Sequence, residues 1–177
     1  MRALPRLMTA AAVAVSLGGC ASDFLDPGPI GRHSAGVSPR VLRGGEPLQC
    51  VPYARDVSGV RIWGDANTWW SRAAGRFPRS SEPELGAVMV MRGTSSARGH
   101  VAVVRKVVNE REIVVDHANW LNTGEISLDN PVMDVSEDND WSRVRVWYAP
   151  GGHYGGRVYE VQGFILSPGD SRQIATR

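Results

Sequence analysis

The chain has 177 residues, of which 42% are hydrophobic and 21% are charged. A chain of this length can bury one sizeable core but is too short for two comfortable domains, so one globular unit is predicted. The formal net charge is only +2, and the basic residues are scattered among acidic ones. Because no basic stripe with interleaved aromatic residues is present, the sequence argues against nucleic-acid binding.

The beginning of the chain has the pattern of an export signal. Arg2 and Arg6 precede an apolar run that is far shorter than the roughly 20 residues needed to span a bilayer as a helix. Residues 1–19 are therefore predicted to be a signal peptide and are excluded from the fold. The run ends in LGGC at residues 17–20, which resembles the lipobox of bacterial lipoproteins. This resemblance implies an exported lipoprotein of the bacterial cell envelope, held on the periplasmic face of a membrane by a lipidated Cys20; an ordinary secretory signal is the alternative.

The remaining chain divides by composition. Residues 20–40 are rich in Gly, Pro, Ser and Asp without an apolar period, and are predicted to be a flexible tether. The globular domain is predicted at residues 41–167, followed by a frayed tail at residues 168–177. If Cys20 carries lipid, Cys50 has no intramolecular disulfide partner and is a free thiol in an exported compartment.

Two helices are predicted first in the domain. One begins at Cys50, since Pro52 is tolerated in a first helical turn, where its missing N–H costs nothing. The other spans residues 66–74, between a plausible N-cap at Asp65 and the terminating Gly75. Cys50 is thereby placed at a helix N-terminus.

Runs rich in β-formers follow the helices, and the period of apolar residues changes. The second and third runs are separated by only three residues, which predicts a hairpin. The sequence therefore predicts an α+β fold with N-terminal helices packed on a C-terminal antiparallel sheet. The predicted strands are residues 87–91, 100–108, 112–120, 143–148 and 163–166.

A cysteine and a histidine are the candidate reactive pair. A thiol is a nucleophile only when deprotonated, and a helix N-terminus together with an imidazolium is the usual means of lowering its pKa. Of the four histidines, His33 lies in the tether and His153 in a glycine-rich stretch. His100, at the start of a predicted strand, is the candidate base for Cys50, and His117 lies on the next strand.

The base needs a third group to fix its tautomer, and side chains alternate between the faces of a strand. If the hairpin loop is even, His100 faces Asn119 directly and His117 diagonally. If the loop is odd, Asp116 lies on that face instead. The sequence leaves both registers open.

Five short motifs occur in a fixed order, and together they resemble the CHAP family, whose name stands for cysteine, histidine-dependent amidohydrolase/peptidase. The resemblance covers about residues 48–165. It implies a papain-like α+β fold, no metal or other cofactor, and hydrolysis of peptide or amide bonds of peptidoglycan through a thioester acyl-enzyme. The motifs are QCVPYA at 49–54, WGDA at 63–66 with WW at 69–70, PELGAV at 83–88, GHVAVV at 99–104 and HANW at 117–120.

The resemblance also implies roles for individual residues. Cys50 and His100 fall on the family's nucleophile and base. The third position is usually Glu, with Asn two residues later, and here these positions are His117 and Asn119. No carboxylate occupies the expected place, so the order of preference for the residue that orients His100 is Asn119, His117 and then Asp116.

Further candidates concern substrate binding and competing functions. Gln49 is expected to help backbone N–H groups stabilise an oxyanion, and Trp120 and Trp141 are candidates for lining a substrate groove. A zinc site at Cys50 and the two strand histidines is disfavoured, because the cysteine lies far upstream without clustered spacing. The alternative function is a noncatalytic cell-wall-binding or scaffold lipoprotein with the same fold; a third is an amidase acting on a small exported substrate or as a secreted toxin.

Overall fold

A computed structural model describes residues 33–93 and 99–167. The predicted signal peptide, Cys20 and the predicted tail at residues 168–177 lie outside the described residues. Within the described part, no helix has the length and apolar character needed to cross a membrane. The elements are β1 (Arg40–Leu42), α1 (Cys50–Ser58), a 3₁₀ turn (Ala66–Thr68), α2 (Trp69–Ala73), β2 (Arg79–Ser80), β3 (Val88–Met91), β4 (His100–Asn109), β5 (Glu112–Ala118), β6 (Ile126–Asp134), β7 (Arg143–Tyr148), a second 3₁₀ turn (Ala149–Gly151), β8 (His153–Tyr154) and β9 (Tyr159–Ile165).

Helix α1 begins at Cys50, as the sequence predicts, and ends where Gly59 adopts a left-handed conformation with φ 73°. Gln49 is its N-cap residue but makes no side-chain capping bond. The predicted second helix is divided into the 3₁₀ turn and the short α2, which ends at Ala73. The amide groups of the first turn of α1 are therefore not capped by the Gln49 side chain.

The strands form one antiparallel sheet that closes on itself. Among the described residues, β6, β5, β4, β3, β9 and β7 lie side by side in that order, and β7 pairs back with β6. Strands β1 and β8 extend the edges, and β2 pairs with β9. Since each strand of the ring is hydrogen-bonded on both sides, the ring supplies a rigid frame for side chains on its inner face.

Apolar side chains fill both faces of this sheet. The inner cluster includes Met89, Val104 and Phe164, and the outer cluster joins α1 and α2 to the sheet through residues such as Val101 and Trp69. All four residues of β3 are buried because this strand has packed partners on both faces. The predicted α+β architecture, with N-terminal helices on a C-terminal antiparallel sheet, is confirmed.

The described end of the predicted tether contacts the domain. The Ser34 N–H donates to Glu112 Oε2 at 3.0 Å, and Lys106 Nζ donates to the Ala35 carbonyl at 2.9 Å. Ala35 is 1% exposed. These contacts tie the chain to the β4–β5 hairpin before β1 begins, while the boundary at residue 41 stays a prediction.

Candidate active site

Cys50 lies at the N-terminus of α1 and is a free cysteine. Its sulfur receives backbone hydrogen bonds from the N–H groups of Val101, Val51 and Cys50 itself, and each of these lowers the pKa of the thiol. The Val101 N–H belongs to β4 and follows directly after His100. The sulfur is therefore held between a helix N-terminus and the start of the strand that carries the candidate base.

A positive-φ glycine brings the chain into β4. Gly99 has φ +72°, and an added Cβ would lie 2.9 Å from both the Asn67 N and the Met91 carbonyl oxygen. Backbone atoms cannot move aside for such a group, so the position requires glycine. The space over Gly99 is thus filled by the main chain of Asn67 and Met91.

Cys50 and His100 line one cleft. The cleft measures about 470 Å³ and is also lined by Gln49, Asp65 and Asn119. A second cavity of about 200 Å³ adjoins His100 and Asn119 on the side of Trp120, Arg157 and Tyr159. His100 thus stands between two recesses, an arrangement that can accept an extended substrate on both sides of the reacting bond.

His100 contacts His117 directly. The two rings are joined from His100 Nε2 to His117 Nδ1 at 3.1 Å, and His100 and His117 are 8% and 0% exposed. Because Nε2 of His100 contacts His117, Nδ1 is the ring nitrogen of His100 that remains to act in the cleft. The even-loop register, in which His117 lies diagonally from His100 on the same face, is the one that the structure contains.

Asn119 contacts another partner. Its Nδ2 donates to Gln49 Oε1 at 2.7 Å, whereas the orienting contact to His100 comes from His117. Asn119, which the sequence favours first for orienting His100, therefore makes its hydrogen bond to Gln49 instead. Asn119 instead fixes the carbonyl end of the Gln49 amide, so that the amide nitrogen of Gln49 is left to donate to another group.

Asp116 lies away from the histidines. It accepts the Asp129 N–H at 2.8 Å and forms an ion pair of 3.1 Å with Arg105. Alternation along β5 directs Asp116 and His117 to opposite faces of the sheet. The structure therefore does not bring Asp116 to His100, and the carboxylate that the family pattern places third has no substitute there.

The two tryptophans proposed for a groove differ. Trp120 is half-buried, stacks on His117 with ring centroids 5.3 Å apart and lies 4.8 Å from the His100 ring. Trp141 is 2% exposed and packs against Phe164 in the inner core. Trp141 is therefore excluded as a groove residue. Its sequence neighbours are polar, and they did not reveal that its own ring points inward.

Burial determines the charge state of the site. It raises the pKa of the Cys50 thiol above its ordinary value despite the three N–H groups at the sulfur. It also lowers the pKa of His100 from 6.5 to about 3 and that of His117 well below 6.5. The sequence predicts a thiol with a lowered pKa beside an imidazolium, whereas these pKa directions favour a neutral thiol and two neutral imidazoles in the resting site.

Two groups that contact the candidate site residues were missed from the sequence. One is the Val101 N–H at the sulfur, which no residue pattern reveals. The other is Asn130, whose Nδ2 lies 3.0 Å from His117 Nε2. Asn130 belongs to β6, a strand that was not predicted; Asp129, with φ 54°, and Pro131 interrupt its apolar alternation.

The described residues also bear on the zinc alternative. In residues 33–93 and 99–167 no group of three or more His, Cys, Asp and Glu side chains is arranged to hold a metal ion. The third side chain at the reactive pair is an imidazole that faces His100 rather than the sulfur. The contact between the two imidazole rings is suited to proton transfer between His100 and His117.

The chain is similar to a family model, to a curated protein and to a solved structure. Residues 42–119 match the model of the CHAP domain. Over 76 residues the chain is 36% identical to staphylococcal secretory antigen ssaA2 of Staphylococcus aureus (strain MRSA252). The matched residues cover 41% of this chain and 28% of that protein. A solved structure, the N-acetylmuramoyl-L-alanine amidase from Staphylococcus aureus, aligns at 26% identity with a TM-score of 0.41, over 65% of this chain and 30% of that one. The chain thus spans less than a third of the length of either protein.

Proposed function

We propose that this chain, a CHAP domain protein over residues 42–119, is a cell-envelope cysteine hydrolase that cleaves amide or peptide bonds of peptidoglycan. The observation that carries the proposal is that Cys50 and His100 line one accessible cleft. The substrate class is supported by the family, and export is supported by the similarity to a secretory antigen. Either of two bond types fits, the amide between sugar and stem peptide or a bond within the peptide.

In the proposed reaction His100 acts through Nδ1, since its Nε2 faces His117. Nδ1 takes the proton of the Cys50 thiol while the sulfur attacks the carbonyl carbon of the scissile bond. The same proton then passes to the leaving amine as the C–N bond breaks, which leaves a thioester on Cys50. Water attacks the thioester with His100 as base, and release of the carboxylic acid restores the thiol.

The tetrahedral oxyanion is stabilised by donors at the start of α1. Pro52 has no N–H and the Tyr53 N–H donates to the Gln49 carbonyl, so the backbone donors there are the Cys50 and Val51 N–H groups that face the sulfur at rest. The Gln49 side chain lies in the same cleft. Because Asn119 Nδ2 occupies Gln49 Oε1, the Gln49 NH₂ group is presented as an additional donor. Asn119 thereby acts on the oxyanion site rather than on the base.

The Asn119→Gly protein tests this assignment, because glycine tolerates the φ of 57° found at this position. Loss of the contact frees the Gln49 amide, and kcat is expected to fall about 10- to 100-fold with little change in KM. Gln49→Ala should produce the same loss, and the double variant should be no slower than either single one. Asn139→Gly, also at a positive φ of 53°, is the matched control. Independent, multiplying losses would contradict the coupling.

The bond cleaved is identified by digesting purified peptidoglycan and analysing the products by mass spectrometry, with the Cys50→Ala protein as control. New amino termini that depend on Cys50 identify the scissile bond and support the proposal. Peptidoglycan that remains uncut at every enzyme concentration, while a small amide is hydrolysed, would indicate an amidase that acts on a small exported substrate.

A noncatalytic cell-wall-binding or scaffold function is the second candidate. Two observations favour it: among residues 33–93 and 99–167 it is an imidazole and not a carboxylate that contacts His100, and burial raises the pKa of the Cys50 thiol. Cleavage and binding assays separate the candidates. A scaffold should release no muropeptides from peptidoglycan, and its binding to peptidoglycan should survive Cys50→Ala.

Export and anchoring are part of the proposal. Residues 1–19 are removed as a signal peptide and Cys20 carries the lipid that holds the protein to a membrane of the cell envelope. The Cys20→Ser protein is then expected to leave the membrane fraction and to lose the mass of the lipid, as measured by fractionation and intact mass spectrometry. Retention of the Cys20→Ser protein in the membrane would contradict the lipid anchor.

A further inference from the structure

The side of His117 that faces away from His100 carries a contact that the proposed reaction does not use. Asn130 Nδ2 lies 3.0 Å from His117 Nε2 and 3.3 Å from the Trp147 carbonyl oxygen. Asn130 is 2% exposed and His117 is 0% exposed. Since these groups are paired with one another inside the closed sheet, the direction of one hydrogen bond determines the direction of the next.

The Trp147 carbonyl oxygen sets the first direction. A backbone carbonyl only accepts hydrogen bonds, so the Asn130 atom that faces it is the NH₂ nitrogen. One hydrogen of that group serves Trp147 and the other points at His117 Nε2, which must accept. Because burial keeps His117 neutral by lowering its pKa, its single ring proton then resides on Nδ1.

The second direction follows from the first. His117 Nδ1–H donates to His100 Nε2 across the 3.1 Å contact, so the neutral His100 carries its proton on Nδ1. Resting on the proposed function, we propose that Asn130 is a positioning residue that holds the His100–His117 pair in a resting tautomer in which His100 presents an N–H, not a lone pair, to the cleft with Cys50.

The resting tautomer cannot accept the Cys50 proton, so the base form requires a rearrangement. A half-turn of the Asn130 amide presents Oδ1 to His117, which then carries its proton on Nε2. The proton between the rings moves to His100 Nε2, and the proton on His100 Nδ1 is released to the cleft while another is gained at His117 Nε2. Each ring has one proton before and after, and the net charge is unchanged.

The surroundings of Asn130 permit this change. A cavity of about 300 Å³ is lined by Asn130 together with Ser127, Asn122 and Trp147, whereas the Cys50 cleft is lined by His100 and not by Asn130. Solvent in this cavity reaches the Asn130 end of the hydrogen-bonded series. The hydrogen bond to the Trp147 carbonyl, which the half-turn breaks, favours the resting tautomer.

The first test reads the tautomers directly in the wild-type full chain. Long-range ¹H–¹⁵N correlation spectra of the ¹⁵N-labelled protein at neutral pH should give a protonated Nδ1 and an unprotonated Nε2 for both His100 and His117. A wild-type His100 protonated at Nε2 would overturn the inference. This readout requires no turnover: a protein with the expected tautomers that leaves peptidoglycan uncut would contradict the proposed function alone.

The second test uses the Cys20→Ser chain, in which Cys50 is the only thiol. Asn130→Asp offers His117 only acceptor oxygens, so both histidines should become protonated at Nε2 and alkylation of Cys50 by iodoacetamide at pH 7 should accelerate at least about tenfold. Asn109→Asp adds the same charge at the exposed end of β4 and should change neither readout.

A third variant separates tautomer control from charge. Asn130→Leu removes the directing amide without adding a carboxylate and should give mixed tautomers on both rings. If Asn130→Asp and Asn130→Leu fold and leave the wild-type tautomer pattern in place, Asn130 does not set it and the inference fails.

Discussion

The Cys50→Ala and His100→Ala proteins are each expected to lose at least about 10⁴-fold of the wild-type turnover on peptidoglycan. Without the sulfur there is no thioester, and without the imidazole no group takes its proton or protonates the leaving amine. The two losses should not multiply, because each variant removes the same reaction step. The measurement is the initial rate of release of soluble muropeptides by the wild-type, single and double variants.

Two controls make this result specific. His153→Ala removes an exposed histidine on the short strand β8 and should retain wild-type turnover, while circular dichroism should be unchanged in every variant. A Cys50→Ala protein that still releases muropeptides at the wild-type rate would eliminate the covalent mechanism. A double variant a further several-thousand-fold slower than the single ones would mean that the two residues act in separate steps.

The pairing of β4 with β5 explains why the sequence could not choose the orienting residue. The hairpin has an even turn, with Asn109 opposite Glu112, but its register shifts twice before Val103 pairs with Asp116. Either shift alone would turn the side chains on the other face of β5, including Asp116, toward His100. Because the two shifts together restore the original alternation, His117 shares the face of His100. This compensation depends on bulges that no sequence pattern predicts.

The strand that carries Asn130 shows a second limit. Strands β4 and β7 and the start of α1 were predicted close to their observed bounds because their apolar patterns are regular. Strand β6 is interrupted at Asp129, where φ is positive, and at Pro131, which lacks an N–H. Since β6 has β5, β7 and β1 as partners, tertiary pairing holds it in the sheet despite its weak local preference.

The charge state of the thiol was the part of the chemistry least accessible to sequence reasoning. The position of Cys50 at a helix N-terminus was predicted, and its N–H contacts do lower the pKa of the thiol. The sequence could not indicate that helix α1 and the sheet bury the site deeply enough to reverse this effect. Burial of His100 and His117 has the same origin, because both rings belong to the inner face of a closed sheet.

That burial predicts a loss of stability in acid. In the unfolded chain each histidine has a pKa near 6.5, whereas burial lowers the pKa of His100 in the folded protein to about 3 and that of His117 well below 6.5. Below pH 6.5 the unfolded state therefore binds protons that the folded state does not. The stabilisation is present above pH 6.5 and is lost as the pH falls toward 3, at about 1.4 kcal/mol per pH unit for each fully buried histidine.

Replacing His117 with Leu isolates one of these contributions. Between about pH 6 and pH 4.5 the free energy of unfolding of the wild-type protein should decrease more steeply than that of His117→Leu, by about 1.4 kcal/mol per pH unit. Urea denaturation at a series of pH values measures both slopes, and His153→Leu, which alters an exposed ring, should keep the wild-type slope. Since carboxylates titrate in all three proteins, only the difference between slopes reports the histidine. Equal slopes for wild type and His117→Leu would mean that His117 is protonated in the folded protein, and a charged ring there could neither accept from Asn130 nor keep His100 neutral beside Cys50.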